Sequence, residues 1–139
     1  MSEQPIAQVV APNRKIPPPA VNLESKPFWD AAAEGRFLIK RCAACGKAHW
    51  YPRALCPYCF SGETVWEPSP GEGVIYTYSV MYRSPTGPYA IGYVTLDEGP
   101  AVLTNFVDCD LGALAIGQKV KVKFQPTEGG PPVPVFSPI

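Results

Sequence analysis

The second half of the chain alternates apolar and polar side chains with a period of two residues, which predicts β-strands. In the segment GVIYTYSVMYR, residues 73–83, one face carries three tyrosines and two valines: Val74, Tyr76, Tyr78, Val80 and Tyr82. We interpret these tyrosines as inward side chains that fill a small barrel, although exposed rings in this position also suit the stacking of nucleic-acid bases.

Four further segments have strand character. YAIGYVTL (89–96) and AVLTNFV (101–107) flank DEGP, in which Gly99 suits the backbone angles of a hairpin turn, so these two strands are predicted to pair antiparallel. KVKVKF (119–124) places its lysines outward and its apolar residues inward, and VPVF (133–136) gives a short last strand.

Five short strands with a longer link, residues 108–118, between the third and the fourth are typical of an OB-fold barrel, which closes on itself and removes exposed edges. An SH3-like barrel is the alternative. The fold class predicted for the whole chain is mainly β.

The segment SKPFWDAAAEG predicts a short helix within residues 23–36. Ser25 or Lys26 is the expected cap, Pro27 suits the first turn, and Gly35 ends the helix. A helix of fewer than about three turns is marginal alone. The large apolar residues Phe28 and Trp29 must therefore pack on the following domains or on another subunit, and we regard them as candidate partner contacts.

Composition divides the chain into four parts. Residues 1–22 hold five prolines and few apolar anchors, so we expect an extended arm. The helix (23–36), a rubredoxin-like zinc ribbon (37–68) and the OB-fold (69–139) follow.

Four cysteines form two CxxC pairs within CAACGKAHWYPRALCPYC, residues 42–59. Two CxxC turns whose thiolates converge on one ion make a tetrahedral sulfur site that suits Zn²⁺. A redox motif instead needs a single CxxC at a helix start in a βαβ context, and disulfides are rare in the cytosol. The sequence therefore predicts one structural zinc ion, bound by Cys42, Cys45, Cys56 and Cys59.

The segments beside the first pair, RFLIKRC and AHWYP, are predicted to form the hairpin of a zinc ribbon, with Gly46 in the tight turn. His49 lies near the site, but four thiolates already complete the shell, so we leave it out of the ligand set. Basic residues around the pairs either offset the negative cluster or meet a phosphate-bearing partner: Lys40, Arg41, Lys47 and Arg53.

The overall charge does not favour nucleic acid. Twelve basic residues balance twelve acidic ones, so no net positive field attracts a polyanion. The first residues lack the pattern of a signal peptide, and no segment approaches the roughly 20 apolar residues of a membrane span. We expect a soluble, cytoplasmic protein with no membrane partner.

No recognisable catalytic set is present in the sequence. It holds one histidine and no phosphate-binding glycine motif, and its carboxylates are scattered over turns. Cys109 is the only thiol outside the two pairs, and its aspartate neighbours are expected to raise its pKa. An enzyme that acts alone is therefore not expected.

The order of these motifs resembles the DUF35 family, whose members are zinc-ribbon and OB-fold proteins associated with acyl-CoA enzymes. The similarity runs over residues 24–126 and includes FWDAAAEGRFLIKRC, YPRALCPYC, GEGVIYTYSV, PYAIGYVTLDEGPAVLTNFV and LAIGQKVKVKF. The resemblance implies a small non-catalytic subunit that assembles with a thiolase-superfamily enzyme and supports acyl transfer, or carbon–carbon bond formation or cleavage, on a CoA thioester or a related acyl substrate.

On this interpretation Arg53, Pro88 and Tyr89 are further candidate contacts to the partner or substrate, the last two at the end of the loop in YRSPTGPYAIGY. Acyl-CoA is a possible ligand. Two alternatives stay open: a single-stranded nucleic-acid-binding module, because ribbons and OB-folds both serve there, and an autonomous acyl-CoA carrier.

Overall fold

The computed structural model describes residues 16–139, so most of the predicted arm lies outside the described residues. One helix, α1 (Lys26–Ala33), precedes eight strands. The strands are β1 (Phe37–Cys42), β2 (Ala48–His49), β3 (Thr64–Ser69), β4 (Glu72–Met81), β5 (Tyr89–Leu96), β6 (Ala101–Phe106), β7 (Lys119–Gln125) and β8 (Val133–Pro138). A 3₁₀ helix, Leu111–Ala113, interrupts the link between β6 and β7. None of the described helices is long and apolar enough to cross a membrane.

Helix α1 has the predicted boundaries and is buried on one face. Ser25 is its N-cap residue, but the Ser25 hydroxyl accepts a hydrogen bond from the preceding Asn22 N–H at 3.2 Å and caps no helical N–H. Gly35, with φ +77°, ends the helix and donates to the Ala32 carbonyl at 2.9 Å. Phe28 is 0% exposed and Trp29 is 6% exposed. Of the two packing surfaces that the sequence left open, the following domains or another subunit, both rings therefore use the chain's own core.

The ribbon is a three-stranded sheet in the order β2-β1-β3. The predicted hairpin is confirmed, since Lys40 pairs with His49 and Arg41 with Ala48 in antiparallel register. Strand β3, which pairs along all of β1, was not predicted. It leads directly into the barrel.

The remaining five strands form a closed barrel in the order β4-β5-β6-β8-β7, and β7 returns to pair with β4. All five strands were predicted. The last strand, β8, lies between β6 and β7, and it pairs with β6 in parallel at Phe106 and Phe136. This strand order is that of an OB-fold and differs from that of the SH3-like alternative. Gly99 has φ +112° in the β5–β6 turn, as predicted.

A β-bulge at Tyr76 changes which side chains of β4 face the barrel. Ile75 pairs with Val94 and Thr77 with Tyr93, so Tyr76 is the extra residue. The predicted inward face is therefore wrong before the bulge, where Ile75 is buried instead of Val74, and is kept after it, where Val80 packs against the core. Tyr76 is 65% exposed and Tyr78 is 37% exposed, so these rings do not fill the barrel. The barrel interior is formed mainly by smaller apolar side chains and by two phenylalanines: Ile75, Ala90, Val94, Leu96, Val102, Phe106, Val120 and Phe136.

One hydrophobic core joins the helix, the ribbon and the barrel. Phe37 lies at its centre: its ring centroid is 5.9 Å from that of Phe28, 5.4 Å from Trp50 and 6.2 Å from Phe136. Rings at these separations stabilise one another beyond the area they bury. The ribbon is thereby held against the barrel.

Candidate metal centre

The first cysteine pair occupies a tight turn at the end of β1. The Cys45 N–H points to the Cys42 sulfur at 3.4 Å, and the Gly46 N–H donates to the Cys42 carbonyl at 2.9 Å. Gly46 has φ +79°, a value that suits glycine, so its predicted place in the turn is confirmed.

The second pair repeats this turn between β2 and β3. The Tyr58 N–H points to the Cys56 sulfur at 3.4 Å, and the Phe60 N–H donates to the Cys56 carbonyl at 2.9 Å. Phe60 thus stands where the first turn has Gly46, and it has φ +64°. A phenylalanine in this conformation is strained, and its side chain is 76% exposed.

The four sulfur atoms converge. Cys42 and Cys59 are 3.5 Å apart, Cys45 and Cys56 are 3.7 Å apart, and all four sulfurs lie within 4.8 Å of one another. With Zn–S bonds of about 2.3 Å, sulfurs at the corners of a tetrahedron are about 3.8 Å apart. The donor atoms present therefore fit a tetrahedral zinc ion.

The pKa values of the thiols show why an ion suits this cluster. Backbone N–H groups, chiefly that of Cys45, lower the pKa of Cys42 to about 7. At Cys59 the Ser61 N–H favours the thiolate, but the neighbouring thiols, Cys42 first, outweigh it and raise the pKa to about 12. Four thiolates this close repel one another unless a cation lies between them.

Basic residues brace the ribbon instead of touching the sulfurs. The Arg41 guanidinium makes a two-point ion pair with Glu67 on β3, at 3.0 Å for each contact, and donates to the Gly46 carbonyl at 2.8 Å. Lys47 lies over the Tyr58 ring, 5.0 Å from its centroid, and so links the two cysteine turns.

His49 is a buried residue of strand β2 in this sheet and is no part of the cysteine cluster. It is 1% exposed, and among residues 16–139 neither ring nitrogen has a hydrogen-bond partner of good geometry. Burial lowers its pKa, and the charges of Lys40 and Arg53 lower it further. Lys40 is also buried, with its ammonium 4.6 Å from the centroid of the Trp66 ring.

A cavity of about 520 Å³ opens beside the second cysteine turn. Arg53 lines it together with Glu24, Leu55, Cys56 and Phe60. Leu55, Tyr58 and Phe60 are all more than half exposed. Sequence reasoning missed these three residues, although the contrast between Gly46 and Phe60 at matched places after the CxxC pairs was visible in the sequence.

The other predicted site residues lie apart from the metal centre. Pro88 and Tyr89 are half-buried at the end of the β4–β5 loop. Cys109 follows β6, and burial, with smaller contributions from Asp108 and Asp110, raises the pKa of its thiol. The structure therefore brings the four cysteines together, with Arg53 in the cavity that Cys56 also lines, and leaves the remaining predicted residues on separate surfaces or in the core.

Comparison with known proteins identifies two consecutive domains in the chain. Residues 29–65 match the family model of the ChsH2 rubredoxin-like zinc ribbon domain, and residues 66–125 match that of the ChsH2 C-terminal OB-fold domain. A probable enoyl-CoA hydratase alpha subunit of Thermomonospora curvata is 31% identical over 131 residues, which are 91% of this chain and 41% of that protein. The chain thus spans less than half of the length of that relative.

Two further matches cover most of both chains. A DUF35 domain-containing scaffold protein of Methanocaldococcus jannaschii is 34% identical over 105 residues, 70% of this chain and 74% of its own. A chain of the solved structure described as "Ltp2-ChsH2(DUF35) aldolase" superimposes with a TM-score of 0.76 at 31% identity, over 86% of this chain and 98% of that chain. With its ribbon of clustered cysteines and its OB-fold barrel, the chain belongs to the DUF35 family.

Proposed function

We propose that the chain is a non-catalytic accessory subunit that assembles with a thiolase-like enzyme. It would support acyl transfer, or carbon–carbon bond formation or cleavage, on a CoA thioester or a related acyl substrate. The main support is the similarity to a chain of the Ltp2-ChsH2(DUF35) aldolase, which extends over nearly all of that chain. The relatives that carry the name scaffold protein are consistent with this role.

In this proposal Cys42, Cys45, Cys56 and Cys59 bind one Zn²⁺. All four positions are sulfur, so no ligand position is left for water or substrate, and the ion stabilises the fold without taking part in a reaction. The described residues support this division of labour, since the one thiol outside the cluster, Cys109, has a raised pKa and so a weakened nucleophile.

The partner contacts are proposed on the exposed surface. Arg53 lies in the cavity beside the second cysteine turn, and Pro88 and Tyr89 lie in the β4–β5 loop. Phe28 and Trp29, which the sequence suggested as contacts, hold the helix in the core and act on a partner only through the fold.

The experiment is co-expression of the tagged chain with candidate thiolase-like enzymes, followed by native mass measurement. We expect a complex of fixed stoichiometry and acyl-transfer or cleavage activity that appears only with both chains. A matched control is the same enzyme with the Cys42→Ser chain. Turnover by the purified chain alone, or no complex with any thiolase-like enzyme, would contradict the proposal.

A single-stranded nucleic-acid-binding module is the second candidate, and the exposed rings of Tyr76 and Tyr93 on the barrel favour it. Lys119, Lys121 and Lys123 are exposed on β7, but Lys123 is paired with Asp108 at 2.9 Å. This module would bind an oligonucleotide with an affinity that falls steeply as salt rises, whereas a protein complex dominated by apolar contacts would not.

A further inference from the structure

Strand β4 is longer than the strand that closes the barrel against it. On β4, only Glu72, Gly73 and Val74 pair with β7. Ile75 adds two backbone hydrogen bonds on that side, donating to the Gln118 carbonyl at 3.0 Å and accepting from the Gly117 N–H at 2.8 Å. Within residues 16–139, Tyr76–Met81 has no strand on that side and is paired only with β5. This part of β4 is an open edge.

The register identifies which backbone groups of the open edge are available. In an antiparallel ladder successive residues direct their N–H and C=O groups alternately to the two neighbouring strands. Ile75 directs both groups towards the β7 side, and the bulge at Tyr76 restarts the alternation, so Thr77 faces β5. Tyr78 and Val80 therefore present their N–H and C=O groups to the open edge.

This edge has little of the protection that edge strands in proteins usually carry, namely lysines, prolines or inward-pointing charges. The segment YTYSVM, residues 76–81, contains no charged residue and no proline. Tyr76 is 65% exposed and Met81 is 49% exposed. Such a segment attracts another extended backbone unless a partner covers it.

The outer face next to the edge is also uncharged. Ile91 and Tyr93 on β5 and Leu103 on β6 are 43%, 44% and 59% exposed. Their neighbours Thr77 and Ser79 carry no charge, and Tyr93 lies between Thr77 and Leu103 in the paired strands. An aromatic and aliphatic surface without charges has the composition of the core of a protein interface.

We propose that an extended, uncharged segment of the partner enzyme adds to the open edge of β4 as a further strand and covers the adjoining face of Ile91, Tyr93 and Leu103. The unpaired backbone groups define an extended peptide as the occupant, and the missing charges exclude a charged one, because a buried unpaired charge is costly. This inference rests on the proposed function, which supplies the partner.

A second copy of the chain suits the surface less well. Two β4 edges that pair with each other would meet over about six residues, or roughly 20 Å, and leave the apolar face on β5 and β6 uncovered. A larger enzyme surface can cover the edge and the face together.

The test is amide hydrogen exchange of peptides that span residues 76–81, measured on the zinc-loaded chain alone and in the complex with the thiolase-like enzyme recovered by co-purification. We expect the Tyr78 and Val80 amides to exchange at least about tenfold more slowly in the complex. Unchanged exchange at both amides in a stable complex would overturn strand addition and leave the proposed function intact.

Val80→Pro and Val80→Thr make a matched pair of variants. The proline removes the N–H that faces the open edge and leaves the β5 ladder in place, whereas the threonine keeps the N–H and the branched shape. We expect Val80→Pro to weaken the complex by about tenfold or more and Val80→Thr to weaken it by no more than about threefold. Equal affinities of the two variants would overturn the proposal.

Amide exchange measured on the isolated chain distinguishes the other occupants of the edge. Protection of residues 76–81 that grows with the concentration of the isolated chain would assign the edge to a second copy. Protection that disappears when residues 1–15 are deleted would assign it to the chain's own arm. Both results contradict the proposal, and a chain that forms no complex at all would overturn the proposed function with it.

Discussion

At the scale of single residues, the two cysteine turns differ at one position. Gly46 and Phe60 have nearly the same backbone conformation, with φ of +79° and +64°, but only glycine adopts it without strain. Phe60 is 76% exposed and gains little from packing. Strain of this kind is retained where it serves a function, and Phe60 lines the cavity that holds Arg53.

Phe60→Gly is therefore expected to raise the free energy of unfolding of the zinc-loaded chain by about 0.5–1 kcal/mol, since relief of the left-handed conformation exceeds the added entropy of glycine. Phe60→Ala, which keeps a Cβ, is the control and gives no such gain. Denaturant unfolding measures both. A loss of stability in the glycine variant would show that the ring stabilises the turn.

His49 is expected to make the ribbon sensitive to acid. Burial holds its pKa below the ordinary value of about 6.5, so the folded state prefers the neutral ring. The stability that this provides is complete above about pH 6.5 and is lost as the pH falls from there through the lower pKa of the folded state. Lys40 and Arg53 increase the penalty for a charged ring.

His49→Gln removes the titrating group. When the pH is lowered from 7 to 5.5, the free energy of unfolding of this variant is therefore expected to fall less than that of the parent. Zinc loss in acid affects both proteins alike, because both keep the four cysteines. Parallel pH profiles in urea unfolding would contradict a role for His49.

At the scale of elements, the β4–β5 hairpin depends on a glycine where the backbones of the two strands approach each other closely. Gly92 on β5 faces the barrel interior opposite Tyr78, and an added Cβ would overlap the Thr77 carbonyl oxygen and lie 2.7 Å from the Tyr78 Cα. Backbone atoms cannot move aside as a flexible side chain does.

Gly92→Ala is expected to lower the free energy of unfolding by about 1–3 kcal/mol, as overpacked cores do. Gly129→Ala is a poor control because its φ is +77°, whereas Gly62→Ala is a good one, with only the flexible Leu55 side chain within 4 Å. Calorimetry of the three proteins measures the difference. Equal melting temperatures would mean that the hairpin shifts to accept the methyl group.

Elements with strong local signals could be predicted from the sequence. The helix was marked by Pro27 and Gly35, and the barrel strands by alternation. The bulge at Tyr76 could not be predicted, because an extra residue in one strand is defined only by its partner β5. Strand β3 was missed because TVWEPS contains a proline and lies between loops, and pairing with β1 rather than local preference makes it a strand.

At the scale of the whole molecule, the clustering of the four cysteines was predictable and the apolar surfaces were not. CxxC spacing reports the local turn, so the four cysteines were identified correctly as a cluster. The burial of Phe28 and Trp29 depends on how the helix meets Phe37 and Trp50, and Phe37 also contacts Phe136, which is distant in sequence on the last barrel strand. Only the assembled fold decides which aromatic rings stay exposed.

Zinc removal is expected to unfold the ribbon, because about thirty residues bury too little apolar area to fold without the ion. We expect about one zinc per chain in the parent by elemental analysis, and loss of the ribbon's amide protection in Cys42→Ser and in Cys56→Ser. Cys109→Ser, which changes the thiol outside the cluster, is the matched control with unchanged zinc content. Full protection without zinc would contradict the structural role.

Phe37 contacts the helix, the ribbon and the barrel at once, and this limits the exchange of domains among homologous proteins. Its ring contacts the helix through Phe28, the ribbon through Trp50 and the barrel through Phe136, so it belongs to none of them alone. A chimera that joins the ribbon of one homologue to the barrel of another will have mismatched rings where the two domains meet. To avoid this, all four aromatic residues must be taken from the same homologue. Whether such domains are compatible therefore depends on the aromatic contacts around Phe37, whatever metal the ribbon holds.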